Sequence, residues 1–508
     1  LSLYSVASLE TNSGANTLIG IGANGDNPHF GAYPNATFMM YTSLYGSADN
    51  PAMAMSKSYL MSGHWQHATA GTGRLELNGF TARTGGNQSS AAGNFVVGND
   101  FINSINQPWR GLVPEVIVYT SPKSGNENQR ISSYLGIKYG LTLRTGGVDS
   151  GTFDYLSSTG ANIWNGAANS AYHNNILGIG RDDAGALYQK QSKSINENQK
   201  LIIGAGSSLF NMNSANTNSL TNGQFLVTGD NGLKQSLSVS LLYPGAAGGE
   251  INYRFASVWK VRNTGNTGTV IVAWPKGIVN LNLVRSTNET FDTSDDFIPM
   301  TGEVTVNGTV YNTAVVTFND GDYFTLAGYA QSPGGVVADL GLWVKADDGF
   351  APSLWSDKSG NDYHLTQSTA GLQPVLANSA DKFNFNPAVN FDNKVMGNNQ
   401  VANRGVNNSL SLYSVASLET NSGANTLIGV GAAGDNPHLG AYPNATFMMY
   451  TSLYGSASNP AMTMSKSYLM SGHWQHAVAG TARIEFNGFA ARTGGESKFR
   501  SRKFCCWK

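Results

Sequence analysis

Arg74-Leu75-Glu76-Leu77-Asn78-Gly79 alternates polar and apolar side chains and ends on an Asn-Gly pair. Alternation with a period of two gives a strand one apolar face. Asn-Gly supplies two residues that accept positive φ, so the stretch predicts a strand running into a tight hairpin. Glu115-Val-Ile-Val-Tyr119 and Leu342-Trp343-Val344-Lys345-Ala346 predict two further strands. Turn residues recur every eight to twelve positions around them, the spacing of a sandwich or barrel. Gln224–Thr228, Ser257–Val261, Thr269–Trp274, Thr313–Phe318 and Tyr323–Leu326 carry the same texture through the middle of the chain. The expected class is all-β.

One helix interrupts the pattern. Ser124-Gly-Asn-Glu127 spells a capping box, in which Ser caps the third helical N–H and Glu reaches back. Ile131, Tyr134 and Leu135 form the apolar stripe that docks the helix on the sandwich, and Gly140 can take the left-handed stop.

The hairpin occurs twice. Residues 1–86 recur at 410–495 with ten differences, among them Ile21/Val430, Leu75/Ile484 and Leu77/Phe486. The similarity stops at Gly495. Asn87–Asn99 and Glu496–Lys508 look unrelated, yet one DNA string read one base out of frame encodes both. We therefore expect a frameshifted tail over 496–508, with no part in the fold. Both cysteines, Cys505 and Cys506, fall in that tail, so neither disulfides nor thiolate metal sites are expected elsewhere. The repeat implies about one and a quarter units of a tandem array, cut within the same domain at both ends. The divisions are 1–143 (the later part of one sandwich, opening strands missing), 144–333 (a β-rich module), 336–495 (the earlier part of a second copy) and the tail at 496–508. The segment 336–409 carries strands that would complete either copy, and incomplete sheets leave strand edges unpaired.

A length of 508 residues suits about three domains. Lys and Arg number 31 against 32 Asp and Glu. That balance lacks the basic excess of a nucleic-acid binder. No apolar run approaches the length of a membrane-spanning helix, so no membrane insertion is expected.

Candidate chemistry is sparse. His64-Trp65-Gln66-His67 pairs two histidines at a spacing that suits a metal on a helix but not on a strand, where they face opposite ways. A strand with Trp65 and His67 on one face is the expectation. Asp347, Asp357 and Asp362 offer oxygen ligands to calcium, or else close turns on their own backbone. Trp109, Trp355, Tyr33 and Tyr41 are the candidates for stacking on sugar rings, or else core residues. Asn307-Gly-Thr reads as a glycosylation acceptor or a chance triplet. The paired-carboxylate strand motif of sandwich glucanases, the nucleophile elbow and the zinc-protease helix are all missing, so an enzyme is not expected.

Three stretches carry a resemblance. Gly63-His-Trp-Gln-His-Ala with Arg74–Gly79, Trp343–Asp347 with Trp355–Asn361 and Asn386–Asp392, and Glu115–Tyr119 with Tyr134–Thr142 resemble laminin-G-like, concanavalin A-like jelly rolls of bacterial surface proteins. Asn175–Asp183, Trp259–Gly265 and Asp320–Leu326 resemble a β-rich module of uncharacterised function found beside that jelly roll in Bacteroidetes-type secreted proteins, often type IX secretion cargo. The resemblance implies two incomplete jelly rolls flanking a second sandwich-like domain, on an exported cell-surface protein. Binding to glycans, matrix, or host or neighbouring cells is the implied function. A purely structural stalk is the alternative, and a glycan hydrolase a distant one.

Overall fold

The computed structural model describes residues 1–12, 14–22, 29–33, 36–41, 44, 50–86, 93–123, 125–143, 153–378, 381–399, 409–421, 423–430, 438–442, 445–450, 453, 459–475, 478, 480–494 and 504–506. The chain is all-β, with one α-helix among the described residues. It divides into two compact units, Leu1–Ala330 and Gln331–Lys508. The division falls in the Gln331–Gly335 linker. The anticipated boundary at 143/144 adjoins residues 144–152, outside the described residues.

Unit 1 opens with strands β1 (Ser2–Leu9), β2 (Asn16–Gly22), β3 (His29–Tyr33), β4 (Thr37–Tyr41), β5 (Ser58–His64), β6 (Gly73–Leu77), β7 (Phe80–Gly85), β8 (Asn94–Val97) and β9 (Gly111–Tyr119). They form two antiparallel sheets, ordered β7-β6-β5-β1-β9 and β4-β3-β2-β8. Leu3, Ala7, Met61 and Leu75 of one sheet pack on Leu18, Phe30, Phe38 and Met40 of the other. Gly63 leaves room for the Phe30 ring: a Cβ there would sit 2.9 Å from it. The Asn78-Gly79 hairpin forms as expected. Both residues take positive φ, 49° and 75°, and Leu77 pairs with Phe80 across the turn. Asn307-Gly308 closes a second hairpin of this kind, with Val306 facing Thr309.

Helix α1 (Gly125–Tyr139) follows β9. Ser124 lies outside the described residues, and Glu127 pairs with Lys123 at 3.5 Å. The C-terminus is a Schellman stop: Gly140 has φ of 65° and the Leu141 N–H reaches the Gly136 carbonyl at 2.9 Å. The helix packs between two layers. Leu135 and Ile137 are buried among Tyr4, Val6 and Leu60 of the first sandwich and Tyr155, Trp164, Ile176 and Val227 further along the chain.

Those later residues belong to a second sandwich, over residues 153–330. One sheet runs in the order Leu187–Gln189, Asn174–Asp182, Phe225–Asp230, Trp259–Thr264, Tyr323–Tyr329, Ile251–Phe255, Leu237–Tyr243. Facing it are Gln191–Ser192, Ile202–Ala205, Thr269–Pro275, Thr309–Thr317 and Gly302–Val306. Their shared core holds Phe255, Trp259, Trp274 and Phe324, with Trp259 stacked on Phe324 at 5.2 Å.

Unit 2 repeats the first architecture. Leu410–Ser417, Ser467–Trp474, Arg483–Phe486 and Phe489–Thr493 form one sheet. The other contains Phe350–Ala351, Leu354–Trp355, Leu365–Thr366, Met396–Asn398, Phe504–Cys506, Asn425–Val430, His438–Tyr442 and Thr446–Tyr450, in that order. Segment 336–409 thus joins the second copy. Two expectations are corrected here. Leu342–Ala346 is not a strand: the Trp343 N–H donates to the Asp357 carboxylate and the Trp343 carbonyl accepts from the Lys358 N–H, which leaves neither for a ladder. Nor is the tail wholly outside the fold. Phe504 pairs with Val430 as Phe95 pairs with Ile21, because a ladder is made by main chain whatever the side chains.

Candidate functional site

The two copies carry the same polar cluster on the outer sheet. In the first, Glu76 on β6 is buried. Ser62 Oγ donates to its Oε2 at 3.1 Å, and Asn128 Nδ2 on α1 donates at 2.9 Å. Arg74 Nε lies 2.9 Å from Oε1 and His64 Nε2 3.4 Å from Oε2. Burial pushes the Glu76 carboxyl up, but His64, Arg74 and the Asn128 amide outweigh it and hold the group at about 2. Ser2 Oγ sits 2.8 Å from His64 Nδ1, so hydroxyl, imidazole and carboxylate stand in line. That order suits nucleophile activation. Here Ser2 is fully buried and its Oγ also accepts the Lys123 N–H at 2.9 Å, so the cluster fixes α1 to the sheet. Tyr4 Oη completes it by donating to Asn128 Oδ1 at 2.8 Å.

The His-Trp-Gln-His expectation changes accordingly. Strand β5 ends at His64, Trp65 enters the core, and His67 lies exposed in the following turn. The two histidines share no ligand. Among the described residues no group of three or more His, Cys, Asp or Glu side chains is placed to hold a metal.

The predicted aspartates behave differently from one another. Asp357 is buried in an Asx-type loop. Its Oδ1 accepts the N–H groups of Trp343 and Ser359, and its Oδ2 accepts the Ser359 hydroxyl and the Tyr363 N–H. Its oxygens are already engaged by donors, which removes it as a calcium ligand. Asp362 sits in the same loop at φ of 58°. Asp347 is exposed, with Lys345 Nζ 3.9 Å away.

The predicted stacking aromatics are mostly interior. Trp109 is buried and donates its indole N–H to the Ser8 carbonyl at 3.1 Å. Tyr33 is buried with its hydroxyl 3.0 Å from Thr17 Oγ1. Trp355 is half-buried between Phe350 and Phe391, its indole N–H on the Lys345 carbonyl. The backbone of Tyr41 pairs with His29, and its side chain lies outside the described residues. Trp109, Tyr33 and Trp355 are therefore packing residues: an indole or phenol ring of that size is drawn into the core of a sandwich.

A groove of about 340 Å³ in unit 2 gathers what these residues do not. Asp347, Leu376, Asn378, Phe385, Asn386 and Pro387 line it. Phe385 is 82% exposed, and both it and Asn384 have positive φ, 64° and 52°. A left-handed backbone costs a residue with a Cβ about 1–2 kcal/mol. The loop holding it joins the paired strands Val375–Ala377 and Ala388–Asn390. It is tied down at Lys382, whose carbonyl accepts the Ser467 hydroxyl at 2.8 Å and whose Nζ reaches Glu419 at 2.9 Å. The groove thus sets an exposed aromatic ring on a left-handed backbone beside a carboxylate and two amides. Sequence reasoning found Asp347 and missed Phe385. The Asn384-Phe385-Asn386-Pro387 run was its one trace, an apolar residue inside turn-forming text.

The fold thus defines an all-β protein built of antiparallel sandwiches, with a shallow aromatic-polar groove in unit 2. Residues 127–322 match the model of a domain of unknown function, DUF8202, and the matched stretch opens inside α1. No curated protein matches the sequence. Among solved structures, Trypanosoma rangeli sialidase in complex with 2,3-difluoro-KDN is 11% identical, with 96% of this chain and 87% of that chain covered, at a TM-score of 0.24. The same enzyme with 2,3-difluorosialic acid, as a covalent intermediate, is 11% identical over 99% and 90% at a TM-score of 0.23. Sialidase activity stays with those proteins at so low a likeness. No helix among the described residues is long and apolar enough to cross a membrane.

Proposed function

We propose that the chain is a glycan-binding, non-enzymatic module of a repetitive, exported cell-surface protein, related to the laminin-G-like sandwiches. The Asp347–Phe385 groove is its sugar site. The exposed Phe385 ring carries this reading, since a flat apolar face stacks on the CH face of a pyranose. Asp347 accepts from sugar hydroxyls, and the Asn378 amide can donate and accept. A repeated module multiplies a weak single-site affinity through avidity.

The test is titration of the full chain against a saccharide panel, with and without calcium, followed by Phe385→Gly. Saturable binding is expected, lost in the variant. Because glycine accepts the left-handed backbone, the same variant should gain up to about 1 kcal/mol of stability. Loss of binding with gain of stability marks a functional strain. Binding unaffected by Phe385→Gly excludes this groove.

A structural stalk without ligand is the second reading. The burial of Trp109 and Tyr33, which leaves their rings unavailable to a sugar, favours it. A folded chain that binds nothing on the panel supports the stalk.

A further inference from the structure

Helix α1 leads into the second sandwich through Leu141–Leu143, and hydrogen bonds stitch this exit in place. Tyr155 Oη donates to the Leu141 carbonyl at 2.7 Å and accepts the Leu143 N–H at 2.8 Å. Thr142 Oγ1 accepts the Ile176 N–H at 2.9 Å. His173 Nε2 donates to the Leu143 carbonyl at 2.7 Å, and Trp164 Nε1 donates to His173 Nδ1 at 3.0 Å. One imidazole thus joins the helix exit to the hairpin of Tyr155–Leu156 and Asn162–Trp164.

These partners admit one protonation state. An indole N–H only donates and a carbonyl only accepts, so His173 carries its proton on Nε2 and a lone pair on Nδ1. An imidazolium would set N–H against N–H in a site where Trp164 is 0% and His173 5% exposed. Burial also holds the imidazole below the ordinary histidine range, against the Leu143 carbonyl and Asp154, which pull the other way. Among the described residues, the packed elements bring few other ionisable groups. Asp154 adjoins the hairpin, with its Oδ1 on the Gly166 N–H at 2.7 Å, and the Tyr155 ring lies 6.1 Å from the imidazole. Tyr172 donates its hydroxyl to Glu289 at 2.8 Å, and Lys260 lies over the Tyr172 ring. Asp230, opposite Asn174, has its carboxylate on Asn175 and Gln235. In the last turn of α1, Lys138 and Tyr139 are engaged by Glu115. Leu141–Leu143 and Asn162–Trp164 carry no ionisable side chain.

We propose that His173 is an acid-operated latch between the exit of α1 and the second sandwich. A proton added to Nδ1 sets donor against donor, so the imidazole or the hairpin must move, and the two part. The neutral ring fits only the closed form. The stability it supplies is therefore complete above its ordinary value of 6.5 and is lost as the pH falls below it. Asp230 acts in the opposite sense: burial pushes its carboxyl up, so acid favours the folded form there. Glu76 loses its contribution only below about 4.5. The latch involves neither Asp347 nor Phe385, so it stands apart from the sugar-site reading.

The test is hydrogen–deuterium exchange on the full chain between about pH 7 and pH 5, with each rate divided by the intrinsic rate at that pH. Opening of residues 153–164 should rise about tenfold per pH unit below 6.5, since one proton is taken up on opening. Thr269–Pro275, in the facing sheet, should keep its protection. His173→Gln presents an amide that does not titrate and should flatten the profile. Trp164→Phe removes the opposing N–H, lets the ring take its proton in place, and should flatten it too. Each variant is read against its own rate at pH 7, so a general loss of stability does not mimic the result. A flat wild-type profile over 153–164 overturns the proposal. So does an acid response that survives in either variant, or an equal loss in Thr269–Pro275, which would mark unfolding of the whole unit.

Discussion

Residues 1–86 and 410–495 differ at ten positions and fold into the same two sheets, yet their outer faces have opposite fates. In the first copy the face of β1 and β5 is core. In the second it is surface. The sequence of the face does not decide between the two; the presence of β9 and α1 does. An apolar strand pattern specifies that a side should be covered, and only distant chain can say whether it is.

The sharpest way to break this comparison is to truncate the same tyrosine in both places. Tyr4→Ala removes a fully buried ring and its hydrogen bond to Asn128, and should cost about 3–5 kcal/mol in denaturant unfolding. Tyr413→Ala removes an exposed ring and should cost under about 0.5 kcal/mol. Equal costs would mean that the two faces are equally covered.

The carboxylates sharpen it further. Glu76→Ala takes the charge partner from Arg74 and His64 in a buried setting and should cost about 2–4 kcal/mol. Glu485→Ala acts on a more open cluster, where Arg483 and His473 can turn to water, and should cost under about 1 kcal/mol. The pH dependence follows in sign. Glu76 is held at about 2 in the folded chain against its ordinary value of 4.5. Its contribution is complete above about 4.5 and is lost as the pH falls toward 2. Acid unfolding of unit 1 should therefore become less steep in Glu76→Gln.

The all-β class, the Asn78-Gly79 hairpin, the Glu115–Tyr119 strand and the Gly140 helix stop were legible because each depends on a few adjacent residues. What escaped depends on distant ones. Leu342–Ala346 reads as a strand until Asp357, in a separate loop, takes the Trp343 N–H. His64 and His67 read as one strand until the chain turns after His64. Trp109 and Tyr33 read as ligand platforms or, more readily, as core, and the opposing sheet they pack on resolves that. Phe385 left only the turn-forming text around it as a trace, because exposure and positive φ leave no periodic pattern. The Phe504–Cys506 ladder escaped for the opposite reason, since main-chain pairing needs no particular side chains.

Hydrogen–deuterium exchange on the full chain tests the central claim most directly. Residues 1–20 and 410–429 are identical, so any peptide cut from within them reports both copies in one spectrum. For a peptide spanning Tyr4–Leu9 and its twin, two isotope envelopes of equal area are expected. The slow one belongs to β1, paired on both sides. The fast one belongs to Leu410–Ser417, which pairs on one side only among the described residues. A single slow envelope would contradict the account, because the second copy would then be as fully covered as the first.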